Sequence, residues 1–192
     1  MKQYVIIGNS IAATGCIEGI RKVDKDTPIT VISGEKHPAY CRPLISYYLE
    51  GKTNLDKINY RKNTFYSDNG CNVIYGETAD KINPEKHTVL LSNGEEIAYS
   101  RILIATGSSP FVPHFDGIET VPQKFSFMTL DDTLNLEKAI CETSKVLIVG
   151  AGLIGLKCAE GLKDRVGKIT VCDLAKNVLS SILDDDTAPI VQ

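Results

Sequence analysis

The sequence predicts an α/β protein made of two parallel-sheet βαβ units, with an antiparallel β-meander inserted in the first and the second left incomplete. Three observations carry that expectation. A pattern of apolar run, glycine-led turn and amphipathic stretch occurs twice: Tyr4 to Ile7 leads into Gly8-Asn9-Ser10-Ile11-Ala12-Ala13, and Val146 to Val149 into Gly150-Ala151-Gly152-Leu153-Ile154-Gly155. The copies agree beyond the turn, because Cys16, Glu18 and Gly19 recur as Cys158, Glu160 and Gly161 at the offset that relates Gly8 to Gly150. Between the copies, an Asn93-Gly94 pair separates two β-rich runs, a strong short-range hairpin signal.

The elements follow in order. Residues 3–8 form an apolar run ending at glycine, and Ile11, Ala12, Cys16, Ile17 and Ile20 come next at helical spacing, which predicts strand, tight turn and helix. Pro28 stops any helix, and Ile29-Thr30-Val31-Ile32 supplies a β-branched strand parallel to the first. Arg42-Pro43 fixes an extended segment before a short helix over Leu44 to Leu49. Residues 71–105 predict the β-meander, as Asn72 to Tyr75, Thr88 to Ser92, the Asn93-Gly94 turn and Ile97 to Ala105. Gly107 to Gly117 has linker composition. Thr129 is placed to cap a helix running to about Glu142, with Asp132 at the third helical position standing in for the usual glutamate of a capping box. The second copy then begins, Ile29-Thr30-Val31 recurs as Ile169-Thr170-Val171, and another helix is expected after Leu183. The domains expected are 1–109 and 110–192. With only two parallel strands visible after residue 145, the second is cut short or completed by another segment.

At 192 residues the chain is long enough to bury a sizeable core. Its composition, 43% hydrophobic and 23% charged with a formal net charge of -3, suits a soluble globular protein and gives no support for nucleic-acid binding. No stretch approaches the roughly 20 apolar residues of a membrane span. The N-terminus passes from Met1-Lys2-Gln3 straight into a strand without a signal peptide, so the cytoplasm is the expected compartment. The six cysteines form no CxxC and no Cys/His cluster at zinc spacing, and no structural metal is expected. His37, His87 and His114 lie in loops or strand edges and are assigned no catalytic role.

A glycine-led turn between strand and helix serves a dinucleotide. The first glycine permits the tight turn, the second lets the pyrophosphate approach the backbone, and the third lets helix pack on strand. The phosphates then meet free amides and the positive end of the helix dipole. Gly150, Gly152 and Gly155 fill all three places, whereas the first copy has Gly8, Ser10 and Ala13. Asp173 ends the second strand of the second copy, where a carboxylate accepts the adenosine ribose hydroxyls. It would meet the 2'-phosphate of NADPH as a like charge, at a cost of up to about 4 kcal/mol at ~4 Å and an effective dielectric of ~20. Even half of that favours NADH more than tenfold, although Lys176 lies nearby. In the first copy the nearest acid is Glu35, either a ribose acceptor or a solvated loop carboxylate. A chain holding two dinucleotides face to face passes electrons between them.

With both cradles placed, Tyr40-Cys41-Arg42-Pro43-Leu44 and Ile104-Ala105-Thr106-Gly107 complete a family resemblance. The chain resembles the N-terminal half of the FAD-dependent pyridine nucleotide-disulfide oxidoreductases, and its Arg-Pro-Leu motif is most similar to the rubredoxin reductase, NADH oxidase and nitrite reductase large-subunit branch. The resemblance implies two Rossmann-like units. FAD would be touched by Gly8, Ser10, Ala13, Glu35, Arg42, Pro43, Ala105, Thr106 and Gly107, and NAD held by Gly150, Gly152, Gly155 and Asp173. Arg42 has the alternative of a surface ion pair. It implies hydride transfer from NADH to FAD, then electron transfer to a small redox protein such as rubredoxin or to oxygen, with no nucleic acid and no membrane, and a homodimeric parent. The alternative is a truncated, non-catalytic dinucleotide-binding fragment of such an enzyme.

The chain departs from the family pattern at three places. Disulfide reductases carry a cysteine pair beside the flavin, but here Ser46 stands where the second would fall after Cys41, so no dithiol relay is expected. The single cysteine of the peroxidase-like members aligns with Pro43, which makes Cys41 a flavin neighbour rather than a redox thiol. Many members also place a lysine and a glutamate as an ion pair next to the flavin, at positions that read Tyr47 and Lys157 here. Alteration of both suggests a rebuilt site, with Lys157 as the catalytic candidate near the flavin, favouring its anionic reduced form, or as a solvent-facing helical lysine.

Overall fold

The computed structural model describes residues 2–192. The chain divides into two compact units, one holding the stretch up to Cys41 together with Asn59–Ser108, the other Arg42–Ile58 together with Ser109–Gln192.

The first unit opens with β1 (Tyr4–Ile7), α1 (Ile11–Val23) and β2 (Ile29–Ser33). The chain passes through α2 (Leu44–Leu49) of the second unit and returns as α3 (Phe65–Asp68), β3 (Cys71–Tyr75), β4 (Ala79–Asn83), β5 (Thr88–Leu91), β6 (Glu96–Ala98) and β7 (Arg101–Ile104). A four-stranded sheet runs in the order β3-β2-β1-β7 and is parallel throughout. A separate antiparallel sheet runs β4-β5-β6.

The meander therefore occupies residues 79–98 rather than 71–105. Of its expected outer strands, Asn72 to Tyr75 is β3 of the parallel sheet, and Ile97 to Ala105 divides into β6 of the meander and β7 of the parallel sheet, while the true first strand, β4, has the polar sequence Ala79-Asp80-Lys81-Ile82-Asn83 and offers no apolar run. Strand periodicity reports which side chains are buried, not the direction of the strand alongside.

The packing explains why the insert exists. A parallel sheet needs cover on both faces, and all five residues of β2 are buried. Ile6 and Val31 face a cluster with Ala13 and Ile17 of α1 and Phe65 of α3. Val5, Ile7 and Ile32 face the other way, against Val89 and Leu91 of the antiparallel sheet. Each fully buried Ile or Val side chain contributes about 1.5–3 kcal/mol.

The second unit contains, besides α2, α4 (Leu130–Ala139), β8 (Lys145–Val149), α5 (Leu153–Leu162), β9 (Lys168–Cys172) and α6 (Ala188–Val191). The Thr129 capping box is present: the Thr129 hydroxyl accepts the Asp132 N–H at 3.0 Å, and the Asp132 carboxylate accepts the Thr129 N–H at 2.9 Å. α4 stops at Ala139, short of Glu142, because Ser144 closes a turn onto Cys141 through the Ser144 N–H to Cys141 carbonyl bond (2.9 Å) and the Cys141 N–H to Ser144 hydroxyl bond (2.9 Å).

β8 and β9 form a two-stranded parallel sheet. One face packs with Leu49, Leu136, Cys158 and Leu162 around Ile148. On the other, Leu147 and Val149 are 63% and 53% exposed, as expected of an incomplete unit. No helix among the described residues is long and apolar enough to cross a membrane.

Candidate functional site

Both glycine-led turns fold to the same local geometry. Gly8 has φ +109° and Gly150 φ +111°, a left-handed region that only glycine enters cheaply. In each, the glycine N–H donates to the carbonyl at the end of the neighbouring strand at 2.8 Å, Gly8 to Ile32 and Gly150 to Cys172. The helix follows at once. Its first intrahelical bond is Thr14 N–H to Ser10 carbonyl in one copy and Leu156 N–H to Gly152 carbonyl in the other, so the amides of each helix's first turn, Ile11 to Ala13 and Leu153 to Gly155, are left for a ligand.

Around the first cradle the structure brings Gly8, Ser10, Ala13 and Ala105 together. A Cβ on Gly8 would lie 2.0 Å from the Ala105 carbonyl oxygen, and the Ala105 N–H bonds the Ile7 carbonyl at 2.7 Å. Ser10 is the N-cap of α1, yet its hydroxyl makes no capping bond. Ala13 is fully buried against the core. Thr106 and Gly107 follow as exposed backbone, with Gly107 at φ +72°. Glu35, just beyond β2, accepts the Tyr40 hydroxyl at 2.6 Å, and its backbone carbonyl accepts the Ser33 hydroxyl at 2.8 Å.

The second cradle is tighter at its third glycine. A Cβ on Gly155 would stand 2.0 Å from the Gly150 carbonyl oxygen, whereas Gly150 and Gly152 have open space where a Cβ would be. Asp173 reaches back to the cradle: its carboxylate accepts the Ala175 N–H at 2.7 Å and the Ala151 N–H at 2.6 Å. Those two backbone donors, Ala175 foremost, hold its pKa below the usual carboxylate value. The group is exposed and ionised near pH 7.

Arg42 and Pro43 fall in the second unit. Pro43 is the N-cap of α2, and the Arg42 guanidinium donates to the Met128 carbonyl at 3.0 Å. Lys157 on α5 is held by two partners: the Glu160 carboxylate one turn on, and the Tyr47 ring of α2, whose centroid lies 4.6 Å from the ammonium. The hydrogen bond to Glu160 is the main cause of a raised Lys157 pKa. Tyr47 and Lys157, the two positions altered together, thus remain in contact through a cation–π interaction.

Sequence reasoning missed a link beside the first cradle. The Tyr66 hydroxyl of α3 donates to the Asn9 side chain at 2.6 Å and accepts the Ala39 N–H at 3.1 Å. Asn9 and Tyr66 are far apart in sequence, and no local pattern marks such a pair.

The family model for pyridine nucleotide-disulphide oxidoreductases matches residues 2–192. The chain belongs to that family. It is 32% identical over 192 residues to the NADH-dependent phenylglyoxylate dehydrogenase subunit epsilon of Aromatoleum evansii, covering 99% of this chain and 45% of that protein. It is 34% identical over 196 residues to an NADH oxidase of Methanocaldococcus jannaschii, covering 98% and 44%. The crystal structure of NADH:rubredoxin oxidoreductase from Clostridium acetobutylicum superposes with a TM-score of 0.81 at 26% identity, over 98% of this chain and 49% of that one. The chain spans just under half the length of these relatives.

Proposed function

We propose that this chain carries the nucleotide-binding framework of an FAD-dependent NADH oxidoreductase, with Gly8, Ser10, Ala13, Glu35, Arg42, Pro43, Ala105, Thr106 and Gly107 serving FAD and Gly150, Gly152, Gly155 and Asp173 serving NADH. The observation that carries this reading is the repeated cradle, with matching glycine torsions and the same amide-to-strand hydrogen bond. The cofactors supply the redox chemistry, hydride from NADH to FAD and then electrons to a small rubredoxin-like protein or to oxygen. The protein's part is position and charge. Gly8 and Gly155 let backbone approach where a side chain would collide, and the uncapped Ser10 hydroxyl is available to a phosphate oxygen.

Asp173 supports NADH over NADPH through like-charge repulsion. In this reading residues 110–192 bind NADH and residues 1–109 bind FAD. Lys157, steadied by Glu160 and Tyr47, is proposed to lie near the flavin and to favour its anionic reduced form. Replacing Lys157 with Met is expected to slow flavin reduction in rapid mixing with NADH, and an unchanged rate would remove the residue from the site.

A second reading is that the chain on its own binds nucleotide without turnover. The exposed Leu147 and Val149 face favours it, because a parallel sheet is ordinarily covered on both faces and this one is open on one. One experiment separates the two: purify the chain, record flavin absorbance and assay NADH oxidation. A yellow protein with turnover supports the enzyme. A yellow protein without turnover supports the fragment, and a colourless protein that FAD cannot reconstitute counts against FAD binding by this chain.

A further inference from the structure

Within the first unit, a hollow of about 280 Å³ opens between the loop after β2 and the segment leading into α3, lined by Lys36, Arg61, Lys62, Asn63, Tyr66 and Tyr75 among others. Its lining includes three cations and no carboxylate, on a chain whose formal net charge is -3. Arg61 is partly spoken for: Nε donates to Glu18 at 2.7 Å, Nη1 to the Tyr60 carbonyl at 3.0 Å, and the guanidinium lies 4.2 Å from the Tyr60 ring centroid. Those contacts fix its position while Nη2 makes no hydrogen bond among the described residues. The ammonium groups of Lys36 and Lys62 form no hydrogen bond or ion pair among the described residues, so two positive charges border the hollow without a direct partner. The stem of Lys36 lies along Gly76, where a Cβ would come within 3.2 Å of it. Burial raises the pKa of both Tyr66 and Tyr75, so their rings are neutral near pH 7 and do not oppose an anion.

We propose that this hollow is a binding site for the phosphate group of a small molecule, distinct from both dinucleotide cradles. A compact polyanion satisfies two free ammonium groups and a guanidinium edge at once, and Asn63 and the tyrosine rings form the remaining wall. Free pyrophosphate and a nucleoside monophosphate share this chemistry. The wall adjoins the first cradle through the Tyr66–Asn9 hydrogen bond, so occupancy would be felt at the cradle loop.

Selective 13C labelling of the tyrosines gives a site-resolved test, with Tyr66→Phe and Tyr75→Phe assigning the two ring signals. Titration of the whole chain with pyrophosphate is expected to shift both signals saturably, and the Lys36→Ala/Lys62→Ala double variant, altered only at exposed side chains, is expected to weaken binding by roughly tenfold or more, which corresponds to about 1.4 kcal/mol. Tighter binding of AMP than of pyrophosphate would identify a nucleotide as the ligand, and the reverse a free phosphate anion. The proposal is overturned if neither ring responds, if the double variant binds as well as the parent, or if adenosine without phosphate binds as well as AMP. It is equally overturned if prior addition of FAD abolishes the shifts, since the hollow would then belong to the first cradle. That last arm also separates this proposal from the FAD reading: a chain that takes up no FAD still shows the pyrophosphate response.

Discussion

At the scale of single residues, close approach decides what each cradle position tolerates. Gly155 would place a Cβ 2.0 Å from the carbonyl oxygen of Gly150, a contact that only backbone movement relieves. Gly155→Ala is therefore expected to lower stability by about 1–3 kcal/mol and to weaken NADH binding more than tenfold, read by thermal melting and by titration; an unperturbed melting temperature would mean that the turn yields freely. The equivalent residue of the first copy is already alanine, buried without conflict, so the third glycine is a local demand of one copy and not of the motif. Cys141 shows a different residue-scale effect. The hydroxyls of Ser144 and, second, Thr143 stabilise its thiolate and lower its pKa to about 7, while burial raises that of Cys158 to about 11. Iodoacetamide at pH 7.5 should modify Cys141 first and Cys158 last, as peptide mapping would reveal, and a reversed order would dispose of the hydroxyl explanation.

At the scale of elements, start signals were more legible than stop signals. The Thr129–Asp132 capping box lies within four adjacent residues, so its geometry follows from local chain conformation, and both of its hydrogen bonds are present. Replacing Thr129 with Ala is expected to destabilise the protein by about 1 kcal/mol, seen as a lower denaturant midpoint at constant slope; no change would mean that α4 is held by packing alone. α4 ends before Glu142 because Ser144 captures the Cys141 amide, a contact that no helix-stop residue announces. Val73 with Ile74 and Ile102 with Leu103 mark the strands β3 and β7 but not their sheet, because their partners β2 and β1 are distant in sequence. β4, with the polar sequence Ala79-Asp80-Lys81-Ile82-Asn83, carries no apolar strand signal.

At the scale of the whole molecule, stability should depend on pH at both ends. Hydrogen bonds lower the pKa of Asp24, Glu18, Glu160, Asp173 and Asp184 in the folded chain. A carboxylate whose folded pKa is depressed stabilises above its unfolded value and ceases to as pH falls, so stability should decline below about pH 4. The Cys158 thiol, raised by burial, acts in the opposite sense. Its contribution is complete below an unfolded pKa of about 8.5 and fades as pH rises toward the folded value. Melting temperatures should thus be level between about pH 5 and 8 and fall on either side, and Cys158→Ala should lessen the alkaline fall; an identical alkaline limb in the variant would exclude the thiol as its cause.

The sequence by itself determined the duplicated strand-turn-helix units, their glycine and acidic positions, the Asn93-Gly94 hairpin and the family to which the chain belongs, because each rests on contacts within a few residues or on a pattern repeated along the chain. Only the tertiary structure decided that β3 and β7 complete the parallel sheet while β4, β5 and β6 cover its second face. It also decided that Tyr66 holds Asn9, that Lys157 rests on Tyr47 and that lysines without a direct partner border a hollow beside the first cradle. Those contacts join residues far apart in the chain, and they form only when burial of the apolar faces brings distant segments together.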